Sequence, residues 1–455
     1  MGTTEVDIIV AGAGAAGLSA AVAGADGGAS VLLLEAQEMF RSANNTSMST
    51  SMIPGAGSRW QKQEGIDDSP DLLYQDIMAK TRGKADPVVA RALSDVSPRL
   101  VEWLADECAV PLELVTDVWF PGNSRLRHHC VPDRSGRTLH RHLLDAVSAR
   151  PEVTLVVPSR LTSVEEVDGG LKATAIRPDG SQDVISTSSV VLATNGFGAN
   201  KQMVHRYIPE IADGLYHGGD GSFGDALQIG ESLGVDTASL GAYQGHGSVA
   251  TPHGVLLTWT TMMNGGLLLN GKGERFQNET IGYSESAVNV LSQPAGVAWA
   301  VFDQHIHRKA EPFADYQELL AMDAVKWADD VESLASLIGC EPEAAELTLE
   351  TAQRSAGTDF DDPFGRSNWA HVISPPYATV KVTGALFHTQ GGLMVGQNAE
   401  VLRDGAPVAG LYAAGGAAVG VSGDSSYGYV SGNGLLSALG LGLLAGSAAS
   451  ARSLD

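Results

Sequence analysis

Six residues near the start of the chain limit what it can fold into: Gly12-Ala13-Gly14-Ala15-Ala16-Gly17, placed directly after the apolar run VDIIV at 6–10 and directly before an alanine-rich stretch that ends at Gly27 and Gly28. That order is a short buried strand, a tight turn and a helix. A second apolar run, SVLLL at 30–34, ends in Glu35, about 20 residues after the glycines, and completes a βαβ unit. Each residue has a physical task. Gly12 permits the turn, Gly14 lets backbone approach a pyrophosphate, and Gly17 lets helix and strand pack closely. The helix N-terminus offers amide donors and the positive end of its dipole to phosphate, and Glu35 can accept hydrogen bonds from a ribose 2′-hydroxyl. The unit therefore predicts a bound dinucleotide, and an acid after the second strand disfavours a 2′-phosphate such as that of NADPH.

The remaining composition agrees with a protein wrapped round a large cofactor. Fifty-four glycines against 19 prolines in 455 residues imply many tight turns and close backbone approaches. With 29 Lys and Arg against 53 Asp and Glu the net charge is −24, which weighs against nucleic acid and anionic membrane surfaces as partners. The three cysteines, Cys108, Cys130 and Cys340, form no CxxC or CxxCH pattern, so no metal site, cluster or c-type haem is expected. A reducing cytoplasm is the expected location, because no basic leader precedes the glycine motif. The apolar stretch 435–449 is broken by three glycines and falls short of the about 20 residues that span a bilayer, so it is expected to be a buried helix.

Strand patterns at 154–157 and 189–193 (SVVLA) flank a turn-rich β segment carrying EVDGG and RPDGS, so the chain leaves and rejoins one sheet. From about residue 241 tryptophans, histidines and charges increase, and EPEAAELTLETAQRS at 341–355 reads as an amphipathic helix of a separate unit. Strands resume after Pro375-Pro376 with ATVKV, GGLMV and GLYAAGG. The expected organisation is a first domain segment over 1–240, an inserted domain over 241–374 and the return of the first domain over 375–455. The segment SRLRHHCVPDRSGRTLHRH at 124–142 gathers Arg125, Arg127, His128, His129, Arg134, Arg137 and His140, an expected basic surface loop able to draw in an anionic substrate.

Seven pieces of this chain follow one another in a familiar order: the N-terminal unit, Asn44-Asn45-Thr46 with Ser49-Thr50, GDGSFGDALQIGESLG at 219–234, GKGERFQNE at 271–279, FHTQGGLMV at 387–395, GLYAAGG at 410–416 and SGNGLLSALGLG at 431–442. Over nearly its whole length the chain resembles the fumarate reductase and 3-ketosteroid dehydrogenase flavoproteins. The resemblance implies an α/β fold: a Rossmann-like FAD-binding domain with a parallel sheet and a β meander, plus an inserted α+β domain that caps the substrate. It also implies FAD as cofactor, with contacts at Gly12, Gly14, Ala15, Ala16, Gly17, Glu35, Asn45, Thr46, Ser49, Val157, Ala193, Thr194, Gly196, Asp220, Gly415, Asn433, Gly434, Leu435 and Leu436. The start of the final helix, Gly432-Asn433-Gly434, can in addition direct backbone donors at the edge of reduced flavin. Where many relatives carry an acid after Ala-Ala-Gly, this chain has Gly416.

Departures from the family pattern bear on the reaction. Fumarate reductases carry an arginine four residues after the Asn-Glu of RFxNE and another four residues before the Asn of the final motif; here those positions hold Tyr283 and Tyr429. Losing both removes the planar cations suited to a C4 dicarboxylate. Tyrosine at both places resembles 3-ketosteroid dehydrogenases, and Tyr429-Val430-Ser431 is closer to their Δ4-(5α) branch than to the Δ1 branch. The resemblance implies α,β-dehydrogenation of a cyclic ketone, such as a 3-ketosteroid or 4-oxocyclohexanecarboxylate. Tyr429 would hold the carbonyl, Tyr283 or Ser431 would take the α-proton, and hydride would leave for the flavin. His246 in YQGHG and His388 in FHTQGG stand where fumarate reductases bind carboxylate, and with Gly434 they are candidate substrate contacts. Electrons would pass to a separate acceptor, a quinone or oxygen. A reductase of an activated alkene and a non-catalytic flavoprotein sensor remain alternatives.

Overall fold

The computed structural model describes residues 4–120, 122–357 and 360–453. They form two compact units, one built from the chain up to Ile208, Gly218–Tyr243 and the chain from His388 on, the other from Pro209–His217 and Gln244–Phe387. In the first unit Thr4–Ala11, the strand before the glycines, lies between Gln182–Leu192 and Val31–Leu34, parallel to both, with Val10 opposite Val191 and Leu33. Val153–Val156 extends the parallel set beyond Val31–Leu34, and Ala406–Ala413 extends it beyond Gln182–Leu192. Arg160–Val167 and Gly170–Ile176 run antiparallel into Gln182–Leu192 as the expected meander.

The C-terminal helix, Asn433–Ser453, lies parallel to the helix of the glycine motif, Ala15–Asp26. A Cβ on Gly442 would overlap the carbonyl oxygen of Ala16, one on Gly446 that of Ala20, and one on Gly27 the hydroxyl of Ser450. The Ser19 hydroxyl donates to the Leu439 carbonyl at 2.8 Å across this seam. The helix is 21 residues long, and an 18-residue window of it has a mean hydropathy of 1.5, long and apolar enough to cross a membrane by those measures, yet 67 % of that window is buried in the protein. It is a core helix, as its glycines require.

The second unit is built on a mixed sheet whose central strand is Tyr377–Thr389. Val297–Asp303 pairs antiparallel with this strand from Val297 opposite Thr383 to Asp303 opposite Tyr377, and Lys326–Ala328 and Leu215–Tyr216 also pair with it. The strand therefore belongs to the inserted unit, which starts at Gln244, ends at Phe387 and takes in Pro209–His217, against an expected 241–374. ATVKV alternates buried valine with exposed lysine, a pattern that specifies a strand without saying which sheet receives it. The helix Pro342–Ala356 forms where 341–355 was expected and, with Leu334 and Ile338, covers Leu267, Leu269 and Val301.

Arg275 and Glu279 of the GERFQNE motif hold this unit together. The Arg275 guanidinium meets Glu279 at 2.8 Å and Asp362 at 2.6 Å, and Glu279 also meets Arg366 at 3.1 Å, all with almost completely buried side chains. Arg366 donates in addition to the carbonyls of Met262 and Gly266. Such a network is costly to break because each partner would be left as an unpaired buried charge.

The expected basic surface loop is corrected. His128–Cys130 is a buried strand paired with Ile53–Pro54, and Arg127 is enclosed between Asp68 at 3.0 Å and Asp76 at 2.6 Å. Arg134 is paired with Asp117 at 2.7 Å. Burial pushes His128 and His129 down to about 4, so both are neutral at pH 7. The segment is drawn inward where Asp68 and Asp76 meet Arg127 and where the neutral His128 and His129 are enclosed, while Arg137 and Arg141 stay exposed.

Two outcomes follow from these contacts. Gly446→Val, which sets a side chain against the Ala20 carbonyl, should destabilise the holoprotein by about 1–3 kcal/mol, read from the urea midpoint; an unchanged midpoint would contradict the close seam. Because the folded pKa values of His128 and His129 lie below the unfolded value near 6.5, their contribution is complete above that pH and is lost as pH falls towards 4. Stability should therefore drop over pH 6.5 to 4 with a slope of up to about 1.4 kcal/mol per pH unit from each, and His129→Asn should flatten that slope.

Candidate functional site

In the first unit the glycine loop is held from three sides. Gly12 adopts φ +108°, and a Cβ there would overlap the Ala193 carbonyl oxygen, while one on Gly17 would overlap that of Gly12. The Glu35 carboxylate accepts the Ala13 N–H at 2.7 Å through one oxygen and the Gln37 N–H at 2.7 Å through the other. His140, expected on a surface loop, is buried and bonds the Ala13 carbonyl at 2.8 Å, so the N–H and the carbonyl of Ala13, in two successive peptides, are both held. Burial lowers the His140 pKa, and its neutral ring acts there as an N–H donor. Burial raises the Glu35 carboxyl against the opposing pull of the backbone N–H groups it accepts.

Several expected cofactor contacts gather round this loop. The Thr46 hydroxyl accepts the Ala15 N–H at 2.9 Å at the start of the helix, and the Ser49 hydroxyl donates to the Thr46 carbonyl at 2.7 Å. Asn45 accepts the N–H of Gly219, next to the exposed Asp220. Thr194 accepts the Ala226 N–H at 3.2 Å, and Gly196 has no room for a side chain beside Thr389. Gly415, at φ +64°, approaches Ala16 and Ala438, and Ala16 is followed along the helix by Gly17. Val157 is exposed at the end of Val153–Val156. A side chain at Gly416 would overlap Asn195, which stands at φ +64° and donates to Ser222 at 2.8 Å, so Asn195 fills the space beside that glycine.

These residues fit FAD. Beside Gly14 a Cβ would meet only the Thr46 hydroxyl, at 3.6 Å, so the backbone there lies open to a ligand. The Ser159 hydroxyl is buried without a hydrogen-bond partner among the described residues, and its own N–H donates to the Glu35 carbonyl at 2.7 Å. An open helix N-terminus, a buried acid and an orphaned hydroxyl next to it match a pyrophosphate and a ribose.

At the start of the C-terminal helix lies a buried polar chain. Ser437 donates to Asn433 at 2.9 Å; Asn433 donates to Gln390 at 3.0 Å and to Ser422 at 2.8 Å; Gln390 donates to Nδ1 of His388 at 2.9 Å. Nδ1 also lies 3.4 Å from the Thr389 carbonyl, but the shorter contact is the Gln390 donor; with Nδ1 accepting there, the proton of neutral His388 sits on Nε2, which lies 2.8 Å from where a Gly434 Cβ would stand. Burial pushes His388 down to about 4. The Tyr429 ring stands edge-on to His388 at 5.8 Å, and its hydroxyl is 3.5 Å from the same Cβ position of Gly434. Ser431 is buried, with its carbonyl bonded by His128 at 3.0 Å. Leu435 and Leu436 are buried side chains at the first turn of the helix.

In the inserted unit His246 lies between two rings, stacked on Tyr283 at 4.8 Å and 13° and on Phe387 at 5.3 Å and 26°, with Trp259 edge-on at 5.6 Å. Burial pushes it down to about 3, helped by the nearby His217. Its Nδ1 is 3.1 Å from the Ser248 hydroxyl. Tyr283 and His246 are thus brought together here, and Tyr429, Ser431, His388, Asn433 and Gly434 in the FAD-binding unit. Sequence reasoning missed Ser248, Gln390, Trp259 and Phe387 as neighbours of the histidines. A signal existed for two of them, since Ser248 and Gln390 each follow a strand histidine by two residues, the spacing that returns to the same face.

Known proteins resemble this chain. A family model described as an FAD binding domain matches residues 7–432. The chain is 30 % identical over 98 % of its length to the NADH:fumarate oxidoreductase of Klebsiella pneumoniae, and it spans only 48 % of that protein. A flavocytochrome c3 fumarate reductase in its open conformation superposes with a TM-score of 0.82 at 25 % identity, covering 99 % of this chain and 79 % of that one. The 3-ketosteroid-Δ4-(5α)-dehydrogenase of Rhodococcus jostii RHA1 shares the fold with a TM-score of 0.76 at 24 % identity, covering 98 % and 97 %. With the glycine loop, Glu35 and the matched length together, the chain belongs to the FAD binding domain family and its cofactor is FAD.

Proposed function

We propose that the chain is a flavin-dependent oxidoreductase that removes hydrogen from adjacent carbons of a cyclic ketone. The observation that carries this reading is the neutrality of the candidate groups. Tyrosines 283 and 429 stand where the resemblance to fumarate reductases calls for arginines, and burial holds His246 and His388 uncharged at neutral pH. Such groups suit a neutral carbonyl, whereas a dicarboxylate placed among them would lack compensating charge.

FAD, when bound, supplies a two-electron acceptor for hydride. The loop 12–17 with the helix N-terminus would hold its pyrophosphate, Glu35 its ribose hydroxyls, and the backbone at 433–434 the flavin edge. In the FAD-binding unit Tyr429 donates its phenol proton in a hydrogen bond to the ketone oxygen, and the Nε2–H of His388 is a second donor. These bonds strengthen as charge builds on that oxygen, which acidifies the neighbouring C–H. Tyr283 or Ser431 takes the α-proton. An unperturbed phenol titrates near 10, so a tyrosine in that role first releases its own proton towards solvent. The electrons then leave to a separate acceptor, a quinone or oxygen.

A second reading is favoured by one observation: the Klebsiella relative and the flavocytochrome c3 structure are both named for fumarate reduction. The same residues run in reverse would reduce an activated alkene, with a donor placing the proton and hydride arriving from the cofactor.

Anaerobic mixing of the holoprotein with 4-oxocyclohexanecarboxylate, a 5α-3-ketosteroid, a 4-ene-3-ketosteroid and succinate separates the two. Bleaching of the oxidised flavin band by a ketone and not by succinate is the expected result. No bleaching by any of the four, with reoxidation of dithionite-reduced protein by an enone or fumarate, would establish the reductase instead. Tyr429→Phe and Tyr283→Phe should each slow the bleaching by about 10²-fold or more while leaving FAD bound; full rates in both variants would remove the tyrosines from the mechanism.

A further inference from the structure

The hydroxyl of Ser248 has two neighbours, and one of them decides the role of the other. Its oxygen lies 2.7 Å from the Leu257 carbonyl, which can only accept, so the serine proton points there. The same oxygen lies 3.1 Å from Nδ1 of His246 and has only lone pairs left to offer it. A hydrogen bond at that place therefore requires the proton of His246 to sit on Nδ1. Leu257 is itself fixed, because its N–H donates to the Ser248 carbonyl at 2.9 Å in the hairpin that joins Tyr243–Ala250 to Val255–Leu256. The ring is packed among Tyr283, Phe387 and Trp259.

We propose that Ser248 locks His246 in the Nδ1–H tautomer, and that the bare Nε2 of His246 selects a ligand group that donates a hydrogen bond, a neutral hydroxyl or N–H, over a carboxylate. Nε2 meets no hydrogen-bond donor among the described residues, while His246 as a residue is only 4 % exposed, so a lone pair is held ready in aromatic surroundings. Placed against that lone pair, a carboxylate oxygen is repelled and a hydroxyl is bound. Burial, which keeps the ring neutral down to about pH 3, removes the cationic form that would accept a carboxylate. His388 is held the other way, with Nδ1 accepting from Gln390 and Nε2–H left to donate. The two histidines thus ask for opposite partners: His246 for a donor, His388 for an acceptor. Ser248 is a positioning residue that acts through His246.

The selectivity rests on the proposed placement of His246 at the substrate, whereas the tautomer lock does not, and the test separates them. In ¹⁵N-histidine-labelled holoprotein, with His246→Gln used to assign its signals, His246 should show a pyrrole-type Nδ1 and a pyridine-type Nε2 between pH 6 and 8. Ser248→Thr should keep this pattern and Ser248→Ala should shift it towards Nε2–H. A pyridine-type Nδ1 in the native protein, or a pattern that Ser248→Ala leaves unchanged, overturns the lock. For selectivity the probes are 4-hydroxycyclohexanone and 4-oxocyclohexanecarboxylate, titrated against the visible flavin spectrum. The native protein should bind the hydroxyl probe about tenfold more tightly, and Ser248→Ala should erase or reverse that ratio. Equal or inverted affinities in the native protein, or no response to the hydroxyl probe, overturn the selectivity while the nitrogen spectra still report on the lock.

Discussion

Where the first and last helices of the FAD-binding unit lie side by side, their backbones come so close that no side chain fits between Ala16 and Gly442 or between Ala20 and Gly446. Backbone contact at that distance is open only to glycine, alanine and serine, and the seam is made of them: Ala16, Ser19, Ala20, Gly27, Gly442, Gly446 and Ser450. The two helices run parallel, so their positive ends point the same way, one at the glycine loop and the other at Asn433-Gly434. Residues more than 400 positions apart are thereby held in one layer, with the amide donors of both helix N-termini facing the same way. The glycine excess of the sequence is partly the composition of this seam. The same seam explains why an apolar 21-residue helix belongs to a protein core: its hydrophobic length is covered by another helix.

Local sequence recorded much of this. Strand, glycine turn, helix and Glu35 are consecutive, each step is dictated by short-range sterics, and the fold carries them out as read. The helix at Pro342–Ala356 was equally legible, because a helical face repeats within one turn. What could not be read was assignment between sheets. The strand Tyr377–Thr389 carries a good alternating pattern, but its partners, Val297–Asp303 among them, are about 80 residues away, and alternation is the same whichever sheet receives it. The basic-looking segment at 124–142 failed for a related reason. The acids that neutralise Arg127 are Asp68 and Asp76, some 50 to 60 positions earlier, so the charge of the segment says nothing about the charge of the surface.

The histidines show where finer reading was available. His246 and His388 were chosen as polar contacts by position, and whether each donates or accepts was left open. That property is set by the residue two places further on, Ser248 in one case and Gln390 in the other. Pairs of this kind lie on one face of an extended chain, so H-G-S and H-T-Q carried a readable geometry. The sequence still lacked the second partner in each chain, the Leu257 carbonyl and the Asn433 amide, which fix the direction in which the protons point. Hydrogen-bond polarity is thus a tertiary property even where the bonded pair is local.

Neutrality sets the chemistry more than any single residue does. A buried carboxylate needs a paired cation or several donors, and its uncompensated desolvation costs several kcal/mol. The arginines of this chain that are fully enclosed are already engaged, Arg127 with Asp68 and Asp76, Arg275 with Glu279 and Asp362, and Arg366 with Glu279. The tyrosines and histidines of the candidate groups offer dipoles in their place. Dipoles favour a ligand whose charge appears only during reaction, as on a ketone oxygen becoming an enolate, because they stabilise the transition state more than the ground state. That argument holds whether hydrogen leaves or arrives, since both directions pass through the same charge distribution. On the proposed reading the residues would select the kind of carbonyl, and the relative potentials of FAD, substrate and electron partner would select the direction.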